Sequence, residues 1–157
     1  MSGYWRRFWT SPPLTLNGWV AFNLPTTVTA VGAGLLALIA GVHGFLWATT
    51  PAPPAVLAGW AALLVALCLV AAALLWGPTA TVARSGWWLG SVVGLVYVVV
   101  YLVTRVVAVA GLGALTGRWD VAPANAVLLC AVLFLGLYAT VLSGVNVARP
   151  QHQVWHD

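Results

Sequence analysis

WWLGSVVGLVYVVVYLVTRVVAVAGL, residues 87–112, decides the fold of this chain. The run is long enough to cross a bilayer core, which takes about 20 apolar residues as a helix. It holds one fixed charge, Arg105, with no acid near it in sequence. Three further runs of span length flank it, at roughly 22–48, 56–76 and 124–147. The separators TTPAPPA, GPTATVARSG and GALTGRWDVAP each contain proline or glycine, the residues that punctuate regular structure.

Composition agrees with these runs. The chain has 157 residues, 62% hydrophobic and 5% charged, and a mean hydropathy of +1.00. A soluble domain carries about a quarter charged residues, and a chain this short cannot bury so much apolar surface in one core. The apolar residues are therefore expected to face lipid. Trp19, Trp47, Trp60, Trp76, Trp87, Trp88 and Trp119 lie near the ends of the expected spans, where indole rings favour the headgroup level.

The expected fold class is an all-α integral membrane protein, a four-transmembrane-helix bundle with short loops and both termini cytoplasmic. Orientation follows from the arginines. With both ends inside, Arg6, Arg7, Arg84 and Arg149 are cytoplasmic and the outer loops hold Arg118 alone. Residues 1–21 form a cytoplasmic interfacial segment whose YWRRFW at 4–9 mixes aromatics and arginines. Residues 22–147 form the transmembrane domain, and 148–157 a short cytoplasmic tail. Arg6 and Arg7 are followed by Pro12, Pro13 and Asn17 before a run of full span length. The N-terminus is therefore expected to stay as an anchor and not to be cleaved as a signal peptide. A multi-pass place in a cell membrane, that of a prokaryotic plasma membrane, is the expected localisation.

The chemistry-bearing residues are few. Arg105 shares a helix face with Tyr97 and Tyr101, eight and four residues before it. A charge at depth is costly and faces protein, water or a partner. Arg105 therefore snorkels to outer-leaflet phosphates, pairs with Asp120, or meets an acid or anionic cofactor group on another chain. His43 lies at about the same height near the outer end of the first span, with Trp47 four residues on. A lone membrane histidine reads as a hydrogen-bonded packing residue or as a haem or metal ligand. A b-type haem needs two axial histidines, and the other three spans hold none. His152 and His156 fall in the tail. Asp120 caps the fourth helix or pairs with Arg118 or Arg105. Cys68 and Cys130 lie inside apolar runs and read as small hydrophobes, with no CxxC spacing. Gly32, Gly34, Gly41 and Gly44 mark the first span as a closely packed helix.

Several function classes are excluded. No basic face is dense enough to neutralise several phosphates of a nucleic acid. No span contains an acid for a carboxylate proton relay, and no Ser/His/Asp arrangement or Walker loop is present. The chain lacks the membrane glutamate of small multidrug exporters, the paired cysteines of disulfide-forming membrane oxidoreductases, and the multiple histidines of cytochrome b-like subunits. The expected function is a non-catalytic accessory subunit of a larger membrane complex, a respiratory or other electron-transfer assembly. Its partners are then other integral membrane subunits and membrane lipids. No metal and no cofactor is expected on this chain alone. Quinone, haem or lipid is shared with partners, with His43, Tyr101 and Arg105 lining that contact. The alternative is a small homo-oligomeric channel or carrier for an anion.

Overall fold

The computed structural model describes residues 24–51, 55–109 and 112–150. The 1–21 segment and the tail beyond Pro150 lie outside the described residues. Four helices account for most of the described chain: α1 Pro25–Thr49, α2 Ala55–Leu75, α3 Ala80–Val106 and α4 Ala122–Leu142. All four are long and apolar enough to cross a membrane, and no strand forms among the described residues.

Local chemistry sets the helix ends. Pro25 occupies the first turn of α1, where its missing N–H costs nothing. At the other end Thr50 is extended (φ −93°, ψ 113°), as expected of a residue before proline, here Pro51. The Thr79 hydroxyl caps α3 by accepting from Val82 N at 3.3 Å. α3 therefore begins at Ala80 rather than Trp87, and it stops at Val106 rather than residue 112 because Val107 turns extended (φ −113°, ψ 132°). Pro123 lies in the first turn of α4. That helix closes at Leu142, and Gly144 takes a left-handed φ of +76° just beyond it.

The helices pack in a closed ring, each against its neighbour in sequence and α1 against α4. The beginning of α1, the α2–α3 turn and the end of α4 thus share one end of the bundle. There Arg149 N donates to the Thr29 hydroxyl at 3.1 Å, and the Arg149 guanidinium lies 5.5 Å over the Trp76 ring. The end of α1, the beginning of α2 and residues 107–109 and 112–121 share the other end. Leu36, Ile39, Cys68, Ala71, Leu75, Val127, Ala131 and Phe134 are buried in the interior.

Two sequence readings change. Trp87, expected to face the headgroups, is turned into the bundle. With α3 starting earlier, its ring is 3% exposed and stacks on Phe134 at 5.3 Å and on Tyr138 at 6.0 Å. Nor are the α1 glycines alike. A Cβ on Gly32 would meet Trp87 Cη2 at 2.7 Å, whereas Gly34, Gly41 and Gly44 have no atom within 4 Å. On α3, a Cβ on Gly86 would meet backbone, Leu75 N at 2.7 Å and Leu74 C at 2.9 Å, so α2 and α3 cross there backbone to backbone.

Candidate functional site

The bundle end where α1 finishes and α2 begins holds a cavity of about 390 Å³. All four helices reach it. α1 supplies His43, Leu46 and Trp47; α2 supplies Leu57, Trp60 and Ala61; α3 supplies Tyr97, Tyr101, Thr104 and Arg105; α4 supplies Pro123 and Ala124. Leu112 and Leu115, before and within the 3-10 turn Gly113–Leu115, complete the wall. The structure thus brings His43, Tyr101 and Arg105 to one cavity.

Arg105 is the dominant group. It sits in the last turn of α3, not several residues below the helix end. That position aligns its charge with the negative end of the helix dipole. The segment after α3 folds back over it. Gly117 N donates to Arg105 O at 2.9 Å, and Arg105 Nη1 donates to Leu115 O at 3.1 Å. The guanidinium lies 4.7 Å over the Tyr101 ring, a cation–π contact. Arg105 is 4% exposed, and its Nε has no hydrogen-bond partner. The side chain is covered by protein in this arrangement and does not extend away from the bundle. A helix end, one carbonyl and one π face surround the charge, and none of these is an anion.

Asp120 pairs elsewhere. Its carboxylate is 3.8 Å from Arg118 Nε, with both side chains largely exposed. Such exposed pairs contribute little to stability.

The phenols are engaged. Tyr101 donates to Asn125 Oδ1, and Asn125 Nδ2 donates to Trp119 O at 2.9 Å. The Trp119 ring stands edge-on to Tyr101 at 6.2 Å. Tyr97 donates to Ala124 O at 3.1 Å. These bonds tie α3 to the start of α4 and fix the ring under Arg105. Asn125 is a site residue that the sequence analysis does not single out. A polar amide in the first turn of an apolar helix was a visible signal, yet only the fold sets it opposite Tyr101.

His43 Nδ1 is 3.0 Å from Ile39 O. A carbonyl only accepts, so Nδ1 carries a proton and donates to it. The ring stands edge-on to Tyr97 at 5.7 Å, and Tyr97 lies 6.3 Å from Tyr101. His43, Tyr97, Tyr101 and Arg105 therefore form one continuous column. Among the described residues no three His, Cys, Asp or Glu side chains gather into a metal-holding group.

The arrangement sets a guanidinium with an unpartnered Nε beside a largely apolar wall. The chain matches no known family profile, no curated protein and no solved structure.

Proposed function

We propose that this chain is a non-catalytic accessory subunit of a larger membrane assembly. It crosses a prokaryotic plasma membrane four times with both termini in the cytoplasm. It packs against partner subunits through α1 and meets lipid or quinone through the Arg105 cavity. The assembly we favour is a respiratory or other electron-transfer complex, whose lipid-soluble carriers suit a largely apolar cavity.

One observation carries the reading. Ala30, Gly34, Ala37, Gly41, Gly44 and Ala48 recur on α1 at alternating spacings of four and three. All are exposed but Gly44, which is half-buried. Gly34, Gly41 and Gly44 have no neighbouring atom within 4 Å. In lipid there is no hydrophobic force between helices, and small residues are what lets two backbones approach closely. A seam with this period suits a second helix lying against α1.

The test is purification from the native membrane in mild detergent, with mass spectrometry and a visible spectrum of the intact particle. Fixed stoichiometry with larger cofactor-bearing subunits is expected, and Gly41→Leu should release the chain from them. A colourless homo-oligomer would refute the proposal. It would favour the second reading, an anion channel or carrier to which Arg105 lends the right sign of charge. That reading needs a path between copies, because Leu36, Cys68, Ala71 and Phe134 fill the bundle interior.

A further inference from the structure

We propose that the Arg105 cavity binds a single-chain amphiphile with an oxyanion head, a carboxylate or a phosphate monoester, its acyl chain lying between α1 and α2. The inference rests on the lipid-contact reading above but needs no partner chain, so its test is independent of co-purification.

The argument begins with charge. A guanidinium stays protonated in proteins and offers five N–H donors in a planar fork. Arg105 is nearly all buried, Nη1 has one carbonyl, and Nε has no partner. Among the described residues the one acid is Asp120, which is paired with Arg118 at the surface. A buried charge without a counter-charge is costly, and in an apolar bundle it marks a site for a ligand or partner of opposite sign. An oxyanion is the matching group, since carboxylate and phosphate both accept two parallel N–H bonds from the fork.

The walls then select the body of the ligand. Leu46, Trp47, Leu57, Trp60 and Val100 present apolar surface to the cavity. A small hydrophilic anion satisfies Arg105 and leaves that surface unfilled. A quinone fills it and leaves the charge unbalanced, because the quinone is neutral. An anionic amphiphile does both. The volume of about 390 Å³ is at the lower end of the roughly 300–1,000 Å³ typical of ligand pockets, which suits one chain and not two.

The test uses the purified full-length chain in non-ionic micelles. Trp47 and Trp60 line the cavity, so bromine on a bound chain quenches their fluorescence. The probes are ω-bromododecanoate, ω-bromododecyl phosphate and the neutral ω-bromododecanol. At least one anion should bind about tenfold more tightly than the alcohol, the scale of a charge-assisted bidentate pair. Arg105→Gln should remove that preference. Trp76, Trp88 and Trp119 are exposed and meet probe dissolved in the micelle, so the readout is the saturable part of the quenching. Ala61→Phe, which keeps Arg105 and fills the cavity, should abolish that saturable part for all three probes while leaving helical circular dichroism unchanged. The tighter of the two anions tells a free fatty acid from a phosphate-bearing lipid. Equal affinity for the alcohol and both anions overturns the proposal, as does saturable, anion-selective quenching that survives Ala61→Phe. If Arg105→Gln does not fold, the wild-type comparison and Ala61→Phe decide alone.

Discussion

Gly86→Ala is the sharpest probe of the helix packing. Gly86 lies where α3 crosses the end of α2. A Cβ there would sit 2.7 Å from Leu75 N and 2.9 Å from Leu74 C, against 3.4–4 Å for ordinary contact. Two of the opposing atoms are backbone, so relief requires α2 and α3 to move apart. A side-chain rotation does not suffice. Overpacking costs about 1–3 kcal/mol, and a clash with backbone belongs at the upper end. Alanine recovers about 0.5–1 kcal/mol of helix propensity over glycine. The net loss is about 2 kcal/mol, roughly a thirtyfold change in the folding equilibrium. Gly34→Ala is the control. It meets no atom within 4 Å, so propensity alone acts and the isolated chain should gain slightly. The assay is reversible unfolding by SDS titration in mixed micelles, followed by tryptophan fluorescence and far-UV circular dichroism. If Gly86→Ala matches the wild type, or Gly34→Ala falls as far as Gly86→Ala, the crossing is not where the structure puts it.

Phe134 is fully buried and stacked on Trp87, so Phe134→Ala should lose about 3–5 kcal/mol in the same titration and alter the tryptophan emission of the folded state. Thr29→Val removes the acceptor for Arg149 N. Leaving that N–H unpaired should cost about 1–3 kcal/mol, and hydrogen exchange at the Arg149 amide should accelerate. Thr79 and Asp120 are both exposed and lie at opposite ends of the bundle. With both termini inside, Asp120→Cys should label from outside intact cells with an impermeant thiol reagent and Thr79→Cys only after lysis. The opposite pattern inverts the orientation, and labelling of both from outside removes the spans.

The number of helices was legible in the sequence because the signal is additive. Four uninterrupted apolar runs, with proline or glycine between them, need no knowledge of partners to be read as helices long enough to cross a membrane. Their exact limits were not legible. The first turns of α3 carry Arg84, Ser85 and Thr81, which look like loop by hydropathy. A side-chain cap from Thr79 and packing against α2 hold them helical.

The site divides the same way. That Arg105 is an oddity, and that Tyr97 and Tyr101 share its face, follows from one-dimensional spacing of four. What surrounds the guanidinium does not. The sequence left snorkelling, Asp120 and a foreign anion open, because each depends on where residues 107–121 go. Only the tertiary structure decided that Leu115 and Gly117 come back to Arg105, the first with its carbonyl and the second with its N–H, and that Asp120 stays with Arg118. The glycines of α1 make the same point. Hydropathy marks them all as packing residues, but contact is a property of pairs. Which glycine faces Trp87 and which faces outward was settled only when the four helices closed into a ring.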